Sequence, residues 1–420
     1  MNGIELMVRM EQSLEDGIRI GIFPGAAVSV MRKGAPTLTT VKGKTGVTEG
    51  AAAVDAQTLY DLASLTKVIV TLPLVLLSIQ AGKLSLSDAL ITHIPEMGEG
   101  EDTERKAQIK IAHLLTHSSG LPAWRPFFLM GQGRAEYIRL ISQEELIGTP
   151  GSQVVYSDLG FMVLGFLLER VWGEELDALA KRLIFKPSGM ESACYLPLQQ
   201  SMLEISGIAF TENGNAFEQN MAENFLAEME PFDHPRVAEW REKLADYKWR
   251  QGVICGTVHD CNAHYGLGGI SGHAGLFATV RDVERYMEIW TSDDAPVRID
   301  PMLRALSTRS HTDPSIHRRG LGWIASPTGG SLEQVAAGCT GGDLVSERAF
   351  GHTGFTGTSI WSDPVREATI ITLTNRVHPV ANPLIGPWRI AHHNQILNGI
   401  KPDGSSRERG STHDSYANDR

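Results

Sequence analysis

Cysteine is scarce in this chain of 420 residues, with Cys194, Cys255, Cys261 and Cys339 the only four. That is too few for a disulfide scaffold at this length, so reduced, partly buried thiols are the plain reading. Cys255 and Cys261 are near enough in sequence to pair, but sequence does not say that they do. Basic residues are in deficit as well: 38 Lys and Arg stand against 49 Asp and Glu, a formal net charge of −11. Such a balance disfavours nucleic acid and anionic membrane as partners. Long hydrophobic runs are also missing. The most apolar stretch, Val68 to Ile79, contains Pro73 and falls short of the roughly 20 residues that span a bilayer. The N-terminus carries Glu5, Glu11, Glu15 and Asp16 among its apolar residues, whereas a secretory signal needs a basic start and an uninterrupted apolar stretch. The chain therefore reads as cytoplasmic as it stands. A leader removed beforehand would leave the same sequence, and the compartment would then be the periplasm or the exterior.

What remains is an ordinary globular composition, 42% hydrophobic and 21% charged, long enough for a large core. Gly25 to Arg32 and Thr37 to Val41 read as two strands joined at Lys33-Gly-Ala-Pro36. Ser64 opens an apolar helix that runs to about Ala81 and closes at Gly82. Apolar spacings near 3.6 predict further helices over Ile111–Thr116, Arg134–Ile141, Asp158–Val171 and Val280–Trp290. Residues 200–265 read as a charged, loop-rich insertion that lines or lids a site. Strand character returns over Gly320–Ala325, Arg348–His352, Thr358–Ser362 and Ala368–Thr374, followed by a helix from Leu384 to Leu397. The tail from 403 to 420 is polar and expected to be disordered. Strands at both ends with helices between them predict an α+β fold. Its antiparallel sheet is flanked by helices, and a mainly helical lobe is inserted. The expected single domain covers 1–402, with an α/β lobe from about 1–65 and 266–400 and a helical lobe over about 66–265.

The residues with chemistry begin at Asp61-Leu-Ala-Ser64-Leu-Thr-Lys67. Ser and Lys three apart at a helix start share one face. The helix N-terminus and desolvation both favour a neutral lysine, able to take the serine proton. Alone the pair is weak, because Ser64 also suits an N-cap and Lys67 a solvated first turn. Tyr156-Ser-Asp158 precedes an apolar helix some ninety residues on, and Gly351-His-Thr-Gly354 follows a short strand near the end. In this order the three resemble the motifs of the serine β-lactamase and penicillin-binding DD-peptidase superfamily: S-x-x-K, Y-x-N and [K/H]-[T/S]-G. Leu59 to Lys67, Gly82 to Asp88, His113 to Pro122, Gly269 to Phe277 and Gly320 to Trp323 extend the resemblance over roughly residues 20–395. The branch resembled is the class C-like group of β-lactamases, D-peptidases and esterases.

That resemblance implies a β-lactamase/transpeptidase-like fold and a cofactor-free serine hydrolase with no metal, acting through a Ser64 acyl-enzyme on a small ester, peptide or β-lactam. Lys67 and Tyr156 would form the base system, and the N–H groups of Ser64 and Phe355 the oxyanion hole. Asp158, His352, Thr353 and Gly354 would contact substrate. Two departures bear on the substrate. His352 stands where many relatives have lysine, so carboxylate recognition there is pH-dependent or absent. Asp158 replaces the usual asparagine and has no NH₂ to donate. An esterase or D-peptidase therefore ranks first and a β-lactamase second. A penicillin-recognising protein kept only for binding or assembly is the alternative from another class. Oligomeric state is left open.

Other residues have plainer readings. His113 and His117 have a metal-compatible spacing but no third ligand, and read as structural. His259, Asp260 and His273 read as capping or core hydrogen-bonding groups. Ser271 fails the G-x-S-x-G pattern at its last position. Trp124, Phe127 and Trp323 are candidate walls of an acyl pocket.

Overall fold

The structure, a computed structural model, describes residues 2–100, 102–200, 207–229, 236–312, 318–325, 331–336 and 338–400. The expected disordered tail, and parts of the 200–265 insertion, lie outside these residues. Eight strands are present among them: β1 (Gly25–Arg32), β2 (Leu38–Gly43), β3 (Tyr60–Asp61), β4 (Phe277–Ala278), β5 (Ile324–Ala325), β6 (Phe350–Thr353), β7 (Ser359–Asp363) and β8 (Ala368–Thr374). Six form one antiparallel sheet in the order β2-β1-β8-β7-β6-β5, and β3 pairs with β4. Early and late strands meet where β1 lies against β8, with Ala27 opposite Leu373.

The sheet is covered on both faces, which is why β1 and β8 are almost wholly buried. Helix α1 (Gly3–Arg19), absent from the expectations, lays Leu6, Met10 and Leu14 on one face. There they meet Ala26, Val28, Val30 and Ile370. The period-two alternation sends Ala27, Ile371 and Leu373 to the opposite face and into the main core. α1 begins with an Asn2/Glu5 capping box.

The helical lobe is organised around α2 (Leu72–Gln80), which continues from a π-helical stretch at Lys67–Thr71. Val68, Ile69, Val70, Leu72, Leu74, Val75 and Leu76 are all fully buried. Each such side chain contributes about 1.5–3 kcal/mol of burial. α3 (Asp158–Trp172) is capped by Ser157 and equally apolar. The 200–265 stretch is less loop-like than its composition suggests. It contains α4 (Ala216–Met229) and α5 (Val237–Ala245), packed through Phe225 and Trp240. α6 (Val280–Thr291) returns to the sheet, and α7 (Ile385–Leu397) ends the described chain. The strand expected over Gly320–Ala325 shrinks to two residues, because Gly322 (φ +75°) and the Gly320 N–H to Trp323 carbonyl bond form a turn. No disulfide forms among the described residues. Cys261 is buried, and Cys255 Sγ lies 3.8 Å from the Ile208 carbonyl oxygen.

Candidate active site

Ser64 stands on a short, strained loop between β3 and the π-helical turn. The preceding Ala63 has φ +46°, a left-handed conformation disfavoured for alanine. The loop is pinned on several sides. Ala63 N–H donates to Asp61 Oδ1 at 2.8 Å, and His259 N–H donates to Asp61 Oδ2 at 2.7 Å. Burial pushes the Asp61 carboxyl up, and these two N–H donors oppose it. Thr356 and Thr358 hydroxyls donate to the carbonyls of Asp61 and Leu62. The β6–β7 turn thus packs directly on the loop, and Gly354 permits that approach. A Cβ there would lie 2.5 Å from the Leu62 carbonyl oxygen and 2.2 Å from Thr358 Oγ1.

Lys67 is fully buried beneath Ser64. Its Nζ donates to Ser64 Oγ at 2.9 Å and to the His273 carbonyl at 3.2 Å, and pairs with Asp158 Oδ1 at 2.7 Å. Two of these contacts are hydrogen bonds and the third is a charge pair, so the ammonium is compensated on three sides. Burial alone would push Lys67 down, but the Asp158 carboxylate and then Tyr156 outweigh it and hold it above the ordinary lysine value. The neutral lysine expected from the sequence is thus corrected. The carboxylate at position 158 keeps the resting side chain charged.

Tyr156 presents its ring to the same ammonium, 4.9 Å from Nζ to the centroid. His117 holds it from behind: the rings are 4.5 Å apart, and His117 Nδ1 accepts from Ser157 N–H at 3.0 Å. That bond makes His117 a structural residue. His113 lies on the preceding helix, which ends at Leu115, so the two do not share a metal-binding face. Asp158, Asp260 and His273 offer ligand atoms within 4.8 Å of one another. The cation beside them is Lys67. His273 bonds Ser271 Oγ at 2.7 Å through Nδ1 and Asp260 at 3.0 Å through Nε2. Burial pushes Asp260 up, but His273 and Lys67 prevail and hold it at about 2.

On the other side of Ser64, His352 and Thr353 lie on β6, opposite Ile360 and Ser359. Phe355 follows, its ring 4.5 Å from Phe217 of α4 and 5.4 Å from His259, so the insertion packs against Phe355, although none of its described residues lines the cavity. Among the described residues neither Ser64 N–H nor Phe355 N–H donates a hydrogen bond, whereas Gly354 N–H is taken by the Thr358 carbonyl. Two unspent donors on residues that line one cavity suit a developing oxyanion.

Ser64, Tyr156, His352, Thr353, Gly354 and Phe355 open on one cavity of about 600 Å³. The aromatic walls expected from the sequence are elsewhere. Trp323 is fully buried against Trp290 and Phe350, and Phe127 packs on Tyr137. Trp124 faces Phe128 and Phe225. The wall is formed instead by Arg319, Arg376, Arg389 and the segment around Val335. Sequence reasoning passed over these arginines. They are scattered in the chain, and only Arg319 adjoins a quoted motif.

A model of the β-lactamase family matches residues 11–395. A protein of Salmonella agona (strain SL483) named "Putative D-alanyl-D-alanine carboxypeptidase" is 29% identical over 359 residues, covering 82% of this chain and 74% of its own. Among solved structures, a class C β-lactamase superposes with a TM-score of 0.68 at 16% identity, covering 95% and 99% of the two chains. EstCE1, a hydrolase with promiscuous acyltransferase activity, superposes at 0.67 with 19% identity, covering 94% and 98%. These likenesses establish the α+β fold, and no helix among the described residues is long and apolar enough to cross a membrane. With the family model spanning nearly the whole described chain, the chain belongs to the β-lactamase family of serine hydrolases.

Proposed function

We propose that this hydrolase forms an acyl-enzyme at Ser64 and acts on small esters or D-peptide amides in preference to β-lactams. The observation that carries the reading is Lys67 Nζ at 2.9 Å from Ser64 Oγ, in a residue that shares its cavity with Phe355. Lys67 gives up a proton before it can take one from Ser64 Oγ, and Tyr156 beside it completes the base system. The serine oxygen then adds to the substrate carbonyl, whose oxygen settles between the Ser64 and Phe355 N–H groups. Expulsion of the alcohol or amine leaves the acyl-enzyme, and water returns the serine. The curated relatives' name favours a D-peptide substrate, and Asp158 and His352 weigh against efficient β-lactam turnover.

A panel of a short-chain nitrophenyl ester, a peptide ending in D-Ala-D-Ala and a cephalosporin tests this. The expected result is an acyl mass on the Ser64 peptide and a kcat/KM for ester or peptide at least about tenfold above that for the cephalosporin, a gap of about 1.4 kcal/mol. The reverse order would make the protein a β-lactamase. No adduct and no turnover would favour the binding-only reading.

His352 has a consequence for pH. Burial first, then the charges of Arg319 and Lys67, push it well below the ordinary histidine value. That direction favours the neutral ring at neutral pH, and KM for a carboxylate-bearing substrate should then stay flat between pH 6.5 and 8. A KM that climbs through this interval would return carboxylate recognition to His352.

A further inference from the structure

Glu212 is a carboxylate with 1% exposure, buried just ahead of α4 in the 200–265 stretch. It does not line the cavity of Ser64, and neither do Phe217 and His259. A buried carboxylate is costly unless fixed partners compensate it, so its choice of partners is informative. Oε1 accepts from Phe217 N–H at 2.9 Å, and Oε2 lies 2.9 Å from His259 Nε2. The backbone is tied down as well, because Ile254 N–H donates to the Glu212 carbonyl at 2.9 Å.

Both partners lead to the cavity that holds the nucleophile. The Phe355 ring meets Phe217 at 4.5 Å, His259 at 5.4 Å and the Arg376 guanidinium at 4.4 Å. Glu212 bears on all three. It bonds the first two, and its charge opposes the burial that pushes Arg376 down to about 10. Arg376 Nε in turn donates to the Phe355 carbonyl at 2.7 Å. A second route runs through His259 N–H, which donates to Asp61 Oδ2 at 2.7 Å. Asp61 Oδ1 then accepts from Ala63 N–H at 2.8 Å. One side chain thus braces Phe355 and the residue before Ser64, and the two unspent N–H donors belong to Ser64 and Phe355.

We propose that Glu212 is a positioning residue for acyl transfer, setting those two N–H donors through His259 and Phe217 where the oxyanion develops. The inference rests on the Ser64 acyl-enzyme reading and gives the insertion a part in it. Donors of this kind act on the transition state, so a displacement of about 1 Å can cost about a hundredfold in rate.

The test uses the full chain with a short-chain nitrophenyl ester and with phenylboronic acid. The boron accepts a lone pair from a serine oxygen, becomes tetrahedral and places a B–O group where the oxyanion forms. Glu212→Ala should lower kcat/KM by about tenfold to a hundredfold, chiefly through kcat, and raise the Ki of phenylboronic acid by a similar factor. The rising pH limb set by Lys67 should stay in place. Glu212→Gln keeps an oxygen for Phe217 N–H and a polar group for His259, and should recover most of the loss. A role in folding alone would lower the active fraction and the apparent kcat but leave Ki unchanged, which overturns the proposal. So does a folded E212A with the parental kcat/KM, an E212Q no better than E212A, or a limb that moves. Should E212A not fold, E212D decides. Shorter by one methylene, it loses at least one of the two contacts, and an unchanged Ki there also overturns the proposal. Neither turnover nor boronate binding in the unsubstituted enzyme would remove the Ser64 reading itself, and this inference with it.

Discussion

Replacing Ser64 by alanine is expected to lower kcat by about 10⁴-fold or more, the range seen when a nucleophilic serine is removed from a hydrolase. It should also abolish the acyl mass on that peptide. The loss should be chemical rather than structural. The Ser64 side chain's hydrogen bond is to Lys67, which keeps Asp158 at 2.7 Å and the His273 carbonyl at 3.2 Å when the hydroxyl is gone. The loop itself is held by Asp61, Thr356 and Thr358 rather than by Ser64. Unfolding in urea should therefore shift by only about 0.5–1.5 kcal/mol, the ordinary net worth of the one hydrogen bond that Lys67 loses. A variant with the same esterase rate as the parent would show that the observed turnover belongs to another residue.

The second large effect concerns Asp158. In the resting enzyme Lys67 is held charged, with burial opposed by the Asp158 and Tyr156 interactions. A charged lysine is an incompetent base, so kcat/KM should rise with pH, about tenfold per unit while one deprotonation limits the rate. Asp158→Asn removes the carboxylate and leaves burial to act. The rising limb should then move to lower pH by about one to three pH units. Stability should change in the opposite sense. A lysine whose folded value is raised contributes stability that is fully present below its unfolded value of about 10.4 and is lost only as pH climbs through the folded value. At neutral pH that contribution is present in the parent and reduced in the variant. The variant should thus unfold at lower urea at pH 7 while its activity profile shifts toward acid. Superimposable profiles would mean that Lys67 does not set the limb.

These expectations combine what was legible in the chain with what was not. β1, β8, α3 and α6 were readable because each is long and its burial follows a simple pattern: two covered faces for the strands, one apolar stripe or run for the helices. α1 is hard to read because its charged residues mask the buried stripe of Leu6, Met10 and Leu14. α4 and α5 look loop-like in sequence because their polar faces outweigh a narrow apolar contact with Trp240. Trp323 was offered as a pocket wall on residue type alone. The Gly320–Trp323 turn buries it against Trp290.

By itself the sequence determined the three motifs proposed to carry the chemistry, their order and the strand-helix-strand plan that brings them together. Those depend on short-range spacing and on apolar periodicity, which one dimension records. Only the tertiary structure decided what surrounds Lys67 and His352, and only it placed Arg319, Arg376 and Arg389 on the cavity that Ser64 opens on. Charge state depends on burial and on partners within a few ångströms. Lys67 and Asp158 are 91 positions apart in the chain and 2.7 Å apart in space.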